Sequence, residues 1–198
     1  MAIVSWWNDA LEALSSEPYF RQARSKTAGK GLVVCEDLFK TYVRAVCGQQ
    51  VSTIVAEKTA AAVLEYSSVS DDPASVIAGS SPEQLRALGL SAMKAQALVS
   101  IARGYVEGSL QSEALALLED DAVRARLTSI KGVGPWTSDM VLIFGLNRAD
   151  VWAQKDFGLR KALRQTGLEH EDSSRWAPWR TAATWLLWQS LTESPVQY

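Results

Sequence analysis

The chain has little cysteine: two residues in 198, Cys35 and Cys47. Two thiols are too few for a disulfide framework and too few for a four-cysteine iron–sulfur cluster. No run of about 18 or more apolar residues occurs, so no helical membrane span is expected. The opening stretch, MAIVSWWNDALEAL, has neither a basic leader nor a small-residue cleavage site, so no signal peptide and a cytoplasmic location are expected. Neither sign of charge dominates. The 20 Lys+Arg and 22 Asp+Glu leave a net charge of −2, which by itself gives no nucleic-acid footprint. Strand-like alternation is scarce, and there is no internal repeat and no low-complexity tract.

What is present is an ordinary globular composition, 47% apolar and 21% charged. It suits one domain or two small lobes with a real core. Charge is unevenly spread. Residues 1–125 carry 11 basic and 15 acidic side chains, whereas 126–170 carry 7 basic and 4 acidic. Helical periodicity runs almost throughout. Segments 37–47, 52–66, 120–129, 135–146, 156–166 and 177–191 read as helices. Ser81-Pro82-Glu83-Gln84 is a capping-box start, and Ser91 caps a helix whose inward stripe is Leu98, Ile101, Ala102 and Tyr105. Residues 21–33, with Gly29, Gly31 and four basic groups, read as a loop, as do 67–73. The expected fold is all-α, with about ten short helices.

Four stretches carry possible chemistry. IKGVGPWTSDM, residues 130–140, places Gly132 and Gly134 around one valine and puts Pro135 at a helix start. This is a helix–hairpin–helix pattern, closed by Leu127 and Ile130, and its outward N–H groups suit phosphate. Read alone it is equally an ordinary αα-hairpin with a glycine C-cap. Asp156 opens the next helix. Such a residue is commonly a structural N-cap, but a carboxylate held in a cleft can stabilise a developing cation or orient water. Six of the eight tryptophans, Trp136, Trp152, Trp176, Trp179, Trp185 and Trp188, crowd the C-terminal third, with Trp185 and Trp188 on one helix face. They are core residues or aromatic walls for an extruded base. Gln49 and Gln50 lie together between two helices, where a glutamine is solvated or fills the gap left by a displaced base.

Together these motifs resemble the helix–hairpin–helix (HhH-GPD) DNA glycosylases. LTSIKGVGPWTSDMVLIFGL followed by DVWAQKDFGLRKAL carries the likeness, and Asp156 falls on that superfamily's essential aspartate. RAVCGQQVSTIVAEKTA is similar to the family's wedge loop, LRALGLSAMKAQALVSIA to its middle helices, and WAPWRTAATWLLWQSL to its C-terminal helix. The likeness covers residues ~36–192 in order, and the subfamily resembled is that of the bacterial 3-methyladenine DNA glycosylases of alkylation repair. Within the superfamily, enzymes with lyase activity carry a lysine after the hairpin proline; here that position is Trp136.

The resemblance implies a single glycosylase domain with an active-site cleft between two helical lobes. One lobe would hold the central helices, about 36–146 with the hairpin at 127–140; the other would combine 1–35 with 147–198. It also implies a monofunctional enzyme that releases alkylated purines from duplex DNA, acting as a monomer at the nucleoid and without a membrane. Asp156 would be catalytic, and Trp136, Met140, Trp185 and Trp188 would line the base pocket. Gly132, Val133, Gly134, Thr137 and Lys155 would meet the DNA, with the N–H groups of Val133 and Gly134 on the backbone and Gln49 or Gln50 plugging the stack. No cofactor is required, although the carbonyls of Thr128, Ile130 and Val133 would suit a sodium or potassium ion. Ala153-Gln154-Lys155 departs from the family's usual residues before the aspartate, Met140 replaces an occasional tyrosine, and about 35 residues with Trp6 and Trp7 replace the N-terminal sheet domain of some relatives. The alternatives are a glycosylase for hypoxanthine, ethenoadenine or uracil, a non-catalytic DNA-binding module, or a helical protein–protein adaptor.

Overall fold

Capping side chains and proline decide where the helices begin. The computed structural model describes residues 2–27, 29–192 and 196, and among them twelve α-helices are found. In chain order they are α1 (Trp7–Leu14), α2 (Pro18–Lys26), α3 (Leu38–Cys47), α4 (Thr53–Ser67), α5 (Pro73–Gly79), α6 (Pro82–Arg86) and α7 (Ala92–Val106). There follow α8 (Ser112–Ala116), α9 (Asp120–Thr128), α10 (Pro135–Met140), α11 (Phe157–Thr166) and α12 (Arg180–Gln189). Helices α2, α5, α6 and α10 open on proline, whose absent N–H costs nothing there. The Ser81 capping box forms as expected, with the Ser81 N–H donating to Gln84 Oε1 at 2.7 Å. Ser91 Oγ accepts the Lys94 N–H at 3.3 Å. The fold is all-α: β-structure among the described residues is one antiparallel bridge, Ile3 to Val33. No described helix is long and apolar enough to cross a membrane.

Two expectations need correction. The basic stretch taken as a loop over 21–33 is helical as far as Lys26, because Pro18 opens α2 and Phe20, 1% exposed, anchors it. Its other side chains are good helix formers that leave no apolar stripe to read. The segment 135–146 is not one α-helix either. After Met140 it widens into a π-helical turn, Val141–Gly145. Periodicity cannot register one inserted residue of that kind.

The chain divides into two units, Glu36–Val141 and Met1–Cys35 with Leu142–Tyr198. In the central unit, Tyr42 is fully buried and donates its hydroxyl proton to the Leu110 carbonyl at 3.1 Å. Burial pushes that phenol far above its ordinary value, with Tyr105 adding to the rise and Arg126 opposing it. Of the predicted inward stripe of α7, Leu98, Ile101 and Ala102 are buried and Tyr105 is half-buried. In the other unit, tryptophans form the core. Trp7 meets Trp185 edge-on at 5.1 Å, and Trp176 is wedged against both Phe20 and Trp152. Asn147, at φ +51°, joins the unit's two chain segments. Its side chain accepts the Cys35 N–H and donates to the Val33 carbonyl, and its own carbonyl accepts the Trp6 indole N–H.

The two hairpin glycines have different constraints. Gly132 has φ +91°, and an added Cβ would sit 3.1 Å from Ala97 Cβ and 3.2 Å from the Met93 carbonyl oxygen. Gly134 is extended, with nothing within 4 Å of the same position. Gly132→Ala is therefore expected to cost about 2 kcal/mol or more, and Gly134→Ala about 1 kcal/mol or less. Urea unfolding of the two variants measures this directly, and equal losses would show that the backbone demand has been misplaced.

Candidate active site

The hairpin is built by α9 and α10 and braced by charge. Arg124 of α9 donates from Nε to Asp139 Oδ1 at 2.9 Å, and from Nη1 to Asp121 at 2.9 Å. Asp139 is 7% exposed. Burial pushes its carboxyl above the ordinary range, despite the opposing hydrogen bond and charge of Arg124. Leu127 is fully buried and Ile130 half-buried, as the anchoring role requires. The N–H of Val133 donates to the Ile130 carbonyl at 3.0 Å. It is therefore spent inside the turn, and the expectation that Val133 grips DNA through its amide is corrected. Gly134 is the half-buried N-cap of α10, and Thr137, 2% exposed, lies in its first turn.

The two glutamines separate. Gln49 is half-buried, and its Nε2 donates to the Gly132 carbonyl at 3.0 Å and to Thr137 Oγ1 at 2.9 Å. That commitment removes it as a plug for the base stack. Gln50 is exposed at φ +53°, a left-handed conformation that lifts it out of the turn after α3.

Asp156 is the N-cap of α11. Two N–H donors converge on its Oδ1: the Leu159 amide at 2.6 Å and the Trp188 indole Nε1 at 2.7 Å. The carboxylate is half-buried. An N-cap alone needs only the first bond. The second reaches across 32 residues from α12, and glycine makes room for it. A Cβ on Gly158 would sit 3.1 Å from Asp156 Oδ1 and 3.3 Å from Trp188 Cδ1. The Trp188 ring stacks on Phe144 with centroids 5.8 Å apart and planes 13° from parallel. Phe157, the residue after Asp156 and the first of α11, is 70% exposed.

Several expected residues are placed differently. Trp185, 0% exposed, donates its N–H to the Val196 carbonyl; it belongs to the core and offers no pocket wall. Met140 is 2% exposed and likewise enclosed. Trp136 is half-buried at the start of α10, and Lys155 is exposed just before the cap. The Trp188–Asp156 bond, the Gly158 gap and Phe157 went unread in the sequence. The available signal was an aromatic at the first position of α11, off the inward stripe of Leu159, Ala162 and Leu163.

Most of the chain, residues 43–178, matches the family described as HhH-GPD superfamily base excision DNA repair protein. The chain belongs to the HhH-GPD superfamily. It is 38% identical over 120 residues to DNA-3-methyladenine glycosylase 1 of Schizosaccharomyces pombe, covering 54% of this chain and 52% of that protein. It is 31% identical over 198 residues to the probable bifunctional transcriptional activator/DNA repair enzyme AlkA of Mycobacterium tuberculosis, covering 94% of this chain and 40% of that one. The chain thus spans about half the length of these curated relatives, or less. The structure of the S. pombe 3-methyladenine DNA glycosylase Mag1, in complex with abasic DNA, superposes with a TM-score of 0.80 at 28% identity. That match covers 96% of this chain and 100% of the other.

Within this HhH-GPD chain, an ion pair steadies the start of the helix that carries Trp188. Arg180 holds Asp150 through Nε at 2.7 Å and Nη2 at 2.8 Å. Burial raises the Asp150 carboxyl, but the hydrogen bonds and charge of Arg180 more than offset it and hold the group below the ordinary range. A depressed carboxyl stabilises the fold above its unfolded value of about 4, and that contribution fades as pH falls through the lower folded value. Because both side chains are about one-third exposed, Arg180→Ala is expected to cost only about 1–2 kcal/mol near neutrality. The gap from wild type should narrow below about pH 4. Denaturant unfolding from pH 3 to 7 checks it, and a gap independent of pH would remove the ion pair as its cause.

Proposed function

We propose that the protein is a monofunctional DNA glycosylase, hydrolysing the N-glycosidic bond of alkylated, positively charged purines such as 3-methyladenine in duplex DNA. The observation that carries this reading is the carboxylate of Asp156, half-buried and oriented by two N–H donors. Family membership and the sequence likeness to 3-methyladenine glycosylases support the substrate class. DNA, held through the hairpin at Gly134 and Thr137, is the partner. Gln50 fills the stack once the damaged nucleotide is extruded, a step that costs a few kcal/mol and least at a damaged pair.

An alkylated purine with formal positive charge is already a good leaving group. The C1′–N bond breaks with its electron pair going to the base, which departs neutral, and positive charge develops on the sugar. Asp156 stabilises that charge, and its fixed dipolar surroundings need little rearrangement as the charge grows. Water adds at C1′ and releases its proton to the carboxylate or to solvent. The faces of Trp188 and Phe157 favour a cationic base through their ring quadrupoles. Trp136 stands where a lyase would need lysine, so no amine is placed there to form a Schiff base.

A sodium or potassium ion would fit the carbonyls of Thr128, Ile130 and Val133. The Ile130 oxygen spends one lone pair on the Val133 N–H and keeps another. Such an ion would add positive charge near a DNA phosphate.

The test is base release. Wild type and Asp156→Asn are incubated with methylated duplex and the freed bases identified by chromatography. Asparagine caps helices as well as aspartate does, so the variant should fold with stability within about 1 kcal/mol of wild type while releasing base at least about 100-fold more slowly. Near wild-type release by Asp156→Asn would overturn the assignment. Release of hypoxanthine but no methylated base would keep the enzyme class and change the substrate. In a separate trial, borohydride added during turnover should leave no covalent protein–DNA adduct; an adduct would show lyase chemistry.

A further inference from the structure

Resting on that reading, we propose that Gln49 is a positioning residue that locks the base-extruding turn to the hairpin, so that Gln50 and the phosphate grip act as one rigid tool. Three observations within the central unit lead there. First, the Gln49 amide reaches two separate parts of the hairpin: the carbonyl of Gly132 in its turn and the hydroxyl of Thr137 in its second helix. A carbonyl can only accept, so the amide orientation follows from chemistry, and both amide hydrogens are committed.

Second, the same turn is held from its other side. Lys94 of α7 donates from Nζ to the Cys47 carbonyl at 2.9 Å, at the last residue of α3. The neighbouring Met93 and Ala97 pack so closely against Gly132 that an added Cβ would sit 3.1 Å from Met93 Cγ and 3.1 Å from Ala97 Cβ. The turn after α3, the hairpin and the start of α7 thus meet at one junction. Third, the residue carried by this junction is strained and presented outward, since Gln50 is exposed at φ +53°. Such a backbone persists only where its surroundings over-determine it.

Extrusion makes this rigidity matter. A wedge pushes on the base stack, and the reaction must be taken up by the phosphates that the hairpin holds. If the turn and the hairpin moved independently, insertion would displace the protein along the duplex instead of turning the nucleotide out. Gln49 closes the path between the two. Its role therefore belongs to the extrusion step, not to bond cleavage and not to general DNA affinity.

The prediction separates these steps by substrate. One duplex carries a single 7-methylguanine paired with cytosine; a second carries it opposite an abasic-site analogue, where little pairing has to be broken. Gln49→Ala should cut base release from the paired duplex by at least about tenfold and from the unpaired one by less than about threefold. Affinity for undamaged duplex should stay within about twofold of wild type. Gln49→Met, which keeps the length of the side chain but donates no hydrogen bond, should show the same pattern and guards against a folding defect in Gln49→Ala. Equal losses on both substrates, or no loss on either, would overturn the proposal. If wild type releases no base from either duplex, the alkylated-purine substrate class of the proposed function fails first and this inference falls with it.

Discussion

One carboxylate oxygen, Asp156 Oδ1, receives both the Leu159 amide and the Trp188 indole N–H. The first bond is what any N-cap would make. The second is bought by an arrangement that reaches through the whole C-terminal unit. Trp188 is 9% exposed and stacked on Phe144. Its helix is fixed at the start by the bidentate Arg180–Asp150 pair. Thr181 adds to this, donating to the Arg148 carbonyl and accepting the Val151 N–H. Gly158 keeps the space open between indole and carboxylate. A half-buried carboxylate held by two fixed donors is a preorganised negative charge, the group an oxocarbenium-like transition state calls for.

The hairpin divides labour differently from what its motif suggests. Two glycines flank one valine, but only Gly132 is demanded by the fold, through its positive φ and the crowding of Met93 and Ala97. Gly134 is unconstrained within the protein, so a requirement for glycine there would come from something that approaches from outside. The intervening Val133 amide serves the turn itself. Likewise, of two adjacent glutamines one is structural and the other presented. Side chains that look equivalent in the sequence are separated by where their donors go.

Much of this was legible in the sequence because it rests on local rules. Proline and serine set the starts of α6, α7 and α10, and the inward stripe of α7 follows helical spacing. The hairpin could be read from glycine and proline at fixed offsets, and Asp156 from its place ahead of a helix. What escaped depends on partners distant in the chain. The Trp188–Asp156 bond spans 32 residues and the Gln49 bonds span 83 and 88. The enclosure of Trp185 and Met140 depends on packing from several elements. Helix α2 escaped for another reason: its polar side chains favour helix without leaving a stripe, and Phe20 is its one fully buried residue.

The measurement that bears most directly on the orienting role of Trp188 is the single-turnover rate of base release by Trp188→Phe. Phenylalanine keeps an aromatic face for the base and for Phe144 but removes the N–H that Asp156 accepts. If the carboxylate works because it is held, the rate should fall roughly 10- to 100-fold with binding to undamaged duplex unchanged. A wild-type rate would mean that the indole contributes only its face and that Asp156 needs no partner from α12.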